Sequence, residues 1–132
     1  MMICVRDLVG CPYKVHGRNK SEGFDCYGLA MEVESRAGKR IPDFVYNDTD
    51  LKSNEQTAEL LFEGISAKKL NRPEPYCLIA INIAESPSHI AVYLGGGKII
   101  HSTQSYGVHV SNIERYSNRI YGYYRVLEHI EG

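Results

Sequence analysis

Apolar residues recur along this chain with two different periods, and the change between them divides it. Cys26, Leu29, Ala30, Val33 and Ala37 fall on one face of a 3.6-residue helix. Asp25 is a good N-cap, and Gly38 with Pro42 behind it supplies a stop, so the pattern predicts a helix over about 26–38. Ala58, Leu61, Phe62 and Ile65 repeat the helical spacing. Ser53 with Gln56 forms a capping-box pattern before them, and Pro73 and Pro75 follow, which predicts a second helix over about 54–70. A short helix is predicted over Ile3 to Val9, broken at Gly10-Cys11-Pro12-Tyr13 because proline cannot continue it. Lys14 to Gly23 reads as loop, and so does Ile41 to Asp50.

From Tyr76 onward the spacing becomes extended. Cys77 to Ile83 is a mostly apolar run that suits a central strand. Glu85-Ser86-Pro87-Ser88 reads as a turn, and His89 to Leu94 as the next strand. Gly95-Gly96-Gly97 then turns the chain into Lys98 to His101. Gly107 to Val110 and Ile120 to Val126 are further strands. Helices first and strands last predict an α+β fold, with helices packed on a C-terminal antiparallel sheet. No internal repeat or linker divides residues 1–132, so a single domain is expected.

Composition narrows the function. A net charge of −1 leaves no basic footprint for nucleic acid. No apolar run approaches the roughly 20 residues of a membrane span. The first residues, Met1 to Asp7, lack the basic and apolar regions of a secretory signal, so synthesis in the cytoplasm is expected. The four cysteines form no C-x-x-C pair, and reduced thiols are expected. Their spacing relative to the five histidines matches no zinc motif, so neither a metal nor another cofactor is expected.

The chemistry concentrates on Cys26, His89 and His101. Cys26 opens a helix, where the partial positive charge favours a thiolate, and the thiolate is the nucleophile. On this reading it is the most acidic of the four thiols. A free cysteine is equally a small apolar packing residue. His89 opens one strand of the hairpin and His101 lies on the other. Either alone reads as an ordinary half-buried strand residue. Together with a helix-leading cysteine they suit a nucleophile, its base and the group that orients the base. That requires both imidazoles on one face of the hairpin. A two-residue glycine turn alone would put them on opposite faces, whereas a three-residue loop or an equivalent bulge brings them together. His16, His109 and His129 read as ordinary surface or half-buried histidines, and Cys4, Cys11 and Cys77 as packing residues.

Leu8-Val9-Gly10-Cys11-Pro12-Tyr13, then Gly23-Phe24-Asp25-Cys26-Tyr27-Gly28-Leu29, resembles the opening of the NlpC family of papain-like cysteine peptidases. The run from Ser88 to His101 resembles its second half, and the likeness extends from about Leu8 to Val126. The resemblance implies a papain-like fold and cleavage of peptidoglycan stem peptides, often between D-glutamate and diaminopimelate. It implies Cys26 as nucleophile, His89 as base and His101 as the orienting residue. It places the Tyr13 hydroxyl near the nucleophile and assigns part of the oxyanion hole to the Cys26 backbone N–H. Asp25 and Tyr27 flank the nucleophile and belong with Tyr13 to the expected substrate-binding and oxyanion surroundings. Tyr27 stands where free-standing wall hydrolases commonly carry serine, and it is expected at the cleft rim. Tyr27 and the Arg36 to Phe44 run resemble the domains of bacteriophage tail proteins. That implies a phage or prophage tail component, with other tail proteins as partners and no nucleic acid or membrane. Pro75-Tyr76-Cys77 replaces the family's usual Gly-Asp pair before the central strand. A non-catalytic tail or assembly protein, and an amidase or acyltransferase using the same triad, are the alternative readings.

Overall fold

The computed structural model describes residues 3–43, 65–83 and 86–130. Its strands are β1 (Arg18–Asn19), β2 (Gly23–Phe24), β3 (Ala67–Leu70), β4 (Leu78–Ile83), β5 (Ser86–Gly95), β6 (Lys98–Thr103), β7 (Gly107–Asn112) and β8 (Ile120–Val126). One α-helix, α1 (Cys26–Arg36), and one short 3-10 helix (Ile113–Tyr116) stand among the described residues. β1 and β2 pair with each other, and the other six strands form one sheet in the order β3-β8-β4-β5-β6-β7. Every pairing within it is antiparallel.

Alternation along the strands builds a core on each side of this sheet. Leu78, Ile90, Val92, Ile100, Val108 and Val126 face α1 and pack with Leu29, Ala30 and Val33. Cys77, Ile79, Ile81, Ala91 and Ile99 form the second cluster, with Tyr93, Tyr116 and Tyr123 packed against it. Leu78 to Ile81 are all buried, which is why this central strand reads as a continuous apolar run. α1 ends at Arg36, and Gly38 takes φ +81° just beyond it. The Lys39 N–H bonds the Glu34 carbonyl and the Gly38 N–H bonds the Ser35 carbonyl, the pattern of a Schellman stop.

Two expected helical segments take other forms. Residues 3–9 are not a helix: residues 6–10 form turns, closed by Leu8 N–H to Val5 O and Cys11 N–H to Leu8 O. Ile3, Val5 and Leu8 pack on the helix-side core without helical backbone bonds, because a segment this short does not nucleate a helix on its own. The second predicted helix lies outside the described residues over 54–64. Its expected end is corrected, because Ala67–Leu70 is an edge strand paired with β8, from Ala67↔Val126 to Leu70↔Tyr123. Pairing with an existing strand satisfies that backbone and overrides the local helical spacing. At the Pro75-Tyr76-Cys77 departure, Tyr76 itself adopts φ +68°. Its N–H reaches the Tyr93 carbonyl, and its hydroxyl accepts from the Ile3 N–H at 3.1 Å.

The β5–β6 hairpin settles the question of parity. Val92 opposes Ile100, Tyr93 opposes Ile99, and Gly95 opposes Lys98. The turn proper is therefore Gly96-Gly97, and Leu94 is an extra residue bulged out of the ladder. Gly95, Gly96 and Gly97 all have positive φ, at 94°, 59° and 78°, which glycine adopts without strain. The Tyr93 hydroxyl accepts from the Gly97 N–H at 2.9 Å and braces the turn. One step beyond Val92↔Ile100, Ala91 falls level with His101, and His89 and His101 share a face.

Candidate active site

Asp25 is the N-cap of α1, and its carboxylate is buried. Oδ1 accepts from the Gly28 N–H at 2.7 Å and from Arg18 Nη1 at 3.0 Å, while Oδ2 accepts from the His16 N–H at 3.0 Å. These bonds draw the 16–18 loop onto the first turn of the helix. The fit is tight: a Cβ on Gly28 would lie 2.0 Å from the Gly17 carbonyl oxygen, so only glycine is accommodated there. Asp25 is thus occupied in holding the helix end, which accounts for its place beside the nucleophile position better than substrate contact does.

Both histidine-bearing strands are tied to this helix end. The Ser102 hydroxyl on β6 donates to the Phe24 carbonyl at 2.7 Å. On β5 the Ile90 backbone N–H points at the Cys26 sulfur. Ile90 follows His89 directly, so the first residue of α1 meets the strand where the imidazole leaves it. His89 Nε2 lies 2.8 Å from His101 Nδ1, with the ring planes 57° apart. His101 Nε2 lies 2.9 Å from Ser111 Oγ on β7. His89, His101 and Ser111 are 7%, 1% and 8% exposed, so this chain of polar contacts is largely shielded from bulk water.

His109 pairs with His101 across β6 and β7, with ring centroids 4.3 Å apart. Its Nδ1 donates to the Gly107 carbonyl at 2.9 Å. Tyr116 meets His101 edge-on at 5.4 Å. Ser111 is passed over in a reading of the sequence, and His109, read there as an ordinary half-buried histidine, is half-buried and stacks on His101. The signal was there in their alternation on one strand, but using it needs the β6–β7 register.

Electrostatics correct the expectation of a resting thiolate. Burial, and then the Asp25 charge, push the Cys26 thiol up to about 11. The backbone N–H groups of Ile90, Tyr27 and Cys26 oppose that rise without cancelling it. Burial, and then the His109 charge, push His89 down to about 4. His101 falls to about 3 through burial and its two histidine neighbours. Near neutral pH Cys26 is therefore a thiol at rest, and His89 and His101 are neutral imidazoles. A neutral imidazole can accept a proton, so the pair suits proton transfer during attack rather than before it.

Tyr13 sits where its backbone bridges Phe24, two residues before Cys26, and it is half-buried. Tyr27 is not at a cleft rim. It is 1% exposed, lies in the helix-side core, donates its hydroxyl to the Pro42 carbonyl and has Arg18 over its ring at 5.7 Å. Residue 27 follows the first helical position, and the helical turn directs it inward. Among the described residues no group of three or more His, Cys, Asp or Glu side chains is arranged to hold a metal.

Comparison with known proteins extends this geometry. The profile described as the NlpC/P60 family matches residues 10–125. The chain is 32% identical over 116 residues to a γ-DL-glutamyl hydrolase of Bacillus subtilis (strain 168). That match takes in 85% of this chain but only a quarter of the relative's length. Among solved structures, the NlpC/P60 domain of the peptidoglycan hydrolase SagA aligns with TM-score 0.56 and 21% identity over 91% of this chain and 89% of that one. An NlpC/P60 family protein from Bacillus cereus ATCC 10987 aligns with TM-score 0.65 and 22% identity, over 96% of this chain and 41% of that one. NlpC2 from Trichomonas vaginalis aligns with TM-score 0.66 and 22% identity, over 92% and 44%. These structures share the papain-like α+β fold with this chain.

Proposed function

The chain belongs to the NlpC/P60 family, and from that premise we propose that it is a cysteine endopeptidase acting on the stem peptides of peptidoglycan. The observation that carries the reading is the Cys26, His89 and His101 arrangement at the N-terminus of α1. His89 Nε2 is engaged by His101, which leaves Nδ1 for the thiol. As Sγ attacks the substrate carbonyl carbon, Nδ1 takes the thiol proton. The oxyanion that forms accepts from the Cys26 backbone N–H. When the tetrahedral intermediate collapses, the C–N bond breaks and Nδ1–H protonates the departing amine. Water, deprotonated by His89, then hydrolyses the thioester and returns the thiol. His101 holds the base in orientation. Tyr13 lines the approach to the nucleophile.

The name of the Bacillus subtilis relative favours a γ-glutamyl bond, of which D-glutamyl-diaminopimelate is the wall example. The likeness of the Arg36 to Phe44 run to tail-protein domains supports a phage or prophage tail component. Such a protein is made in the cytoplasm, assembles with other tail proteins and acts at the cell wall. Mass spectrometry of purified muropeptides tests the catalytic reading. Wild-type protein should release a fragment cut within the stem, and Cys26→Ala should release none while keeping its fold. Equal turnover by Cys26→Ala overturns the peptidase reading. A product cut at the sugar-to-peptide amide makes it an amidase instead.

A further inference from the structure

We propose that Ser111 sets the proton arrangement of the histidine pair, and so acts as a positioning residue for the base. The proposal rests on the peptidase reading above. His89 can serve as base only if Nδ1 is unprotonated, which places its proton on Nε2. Nε2–H then donates to His101 Nδ1 across 2.8 Å. His101 must accept there, so its own proton lies on Nε2, 2.9 Å from Ser111 Oγ. Ser111 is buried and supplies the acceptor that this arrangement needs. A hydroxyl also leaves its own hydrogen free to turn elsewhere.

Without the hydroxyl the relay can run backwards. The His101 proton on Nε2 would be buried without an acceptor, which is costly. Moving it to Nδ1 lets His101 donate to His89 Nε2 instead. His89 must then carry its proton on Nδ1, facing the thiol, where it cannot take another. On each ring one N–H bond breaks and another forms; the same two protons redistribute between ring nitrogens, and nothing is oxidised or reduced. His109 does not substitute for Ser111, because it meets His101 ring to ring and its Nδ1 is bonded to the Gly107 carbonyl.

The test reads the tautomers directly. Nitrogen-15 NMR of histidine-labelled Cys26→Ala protein, at pH 7, should show His101 protonated at Nε2 and His89 at Nε2. Ser111→Ala in the same background should move His101 towards the Nδ1–H form, and Ser111→Thr, which keeps the hydroxyl, should restore the original spectrum. With Cys26 intact, Ser111→Ala should lower kcat about ten-fold with KM unchanged, and Ser111→Thr should recover most of it. The NMR arm needs no turnover, so it stands apart from any failure of the peptidase reading. His101 protonated at Nδ1 in the Ser111-containing protein overturns the proposal even if Ser111→Ala does not fold. An unchanged tautomer in a folded Ser111→Ala protein overturns it as well.

Discussion

His89 Nε2 and His101 Nδ1 meet at 2.8 Å because Leu94 is bulged out of the hairpin that joins their strands. The bulge keeps opposed residues in even register beyond a two-glycine turn. Buried Val92 and Ile100 hold that register from the core side. Slipping β6 by one residue would turn Ile100 out of the core.

Deleting Gly96 is therefore expected to be tolerated. Tyr93 would stay opposite Ile99, Leu94 would come level with Lys98, and two glycines would close the turn. Turnover of stem peptides should remain within a few-fold of wild type. An intact fold with turnover abolished would show that the bulge itself aims the imidazoles.

Tyr27→Ser should cost about 3–5 kcal/mol of stability, as expected for emptying the space of a buried aromatic ring. The hydroxyl bond to the Pro42 carbonyl is lost with it. Substrate preference should be unchanged in whatever fraction remains folded. Denaturant unfolding and a comparison of stem peptides check both points. A shifted preference at full stability would return Tyr27 to the substrate cleft.

Stability should peak between about pH 6 and 7, for two opposed reasons. His89 is pushed from 6.5 down to about 4, and His101 moves the same way, so the unfolded chain binds protons there that the folded chain refuses. Their contribution is present above pH 6.5 and is lost as pH falls towards 4. Glu34 is fully buried, both its carboxyl oxygens lack a partner, and burial pushes it from 4.5 up to about 8. Its contribution is present below pH 4.5 and is lost as pH rises towards 8. Glu34→Gln removes that second loss. Its gain over wild type should grow from pH 5 to pH 8 and reach a few kcal/mol at most. Calorimetry at several pH values measures it, and a gain independent of pH would show that Glu34 is ionised throughout.

Limiting iodoacetamide at pH 7 should label Cys4 before Cys26. Cys4 is exposed, whereas Cys26 is buried with its thiol pushed up to about 11. Labelling of Cys26 should rise steeply between pH 8 and 10 as its thiolate fraction grows. Peptide mapping reads the order. Cys26 labelled first at pH 7 would mean that a thiolate–imidazolium pair already exists at rest.

Much of the site was legible in the chain itself, because its signals are local. Asp25 caps α1 through Gly28, three residues on, and Cys26 follows directly, so the spacing alone gives the helix its start. Period-two alternation marks β5 and β6 and leaves the parity of His89 and His101 to the turn between them. The NlpC-like motifs carry the family for the same reason, since they lie in continuous runs. Tertiary structure decided whatever depends on a distant partner. Ala67–Leu70 becomes a strand only because β8 offers it an edge. Tyr27 is buried by the way α1 packs, with Pro42 closing over its hydroxyl. Helix position alone overstates the acidity of Cys26, because the charge of one helix end is weaker than the burial around the thiol. Ser111 and His109 join the histidines only through the β6–β7 register, which depends on long-range pairing that no local window of sequence records.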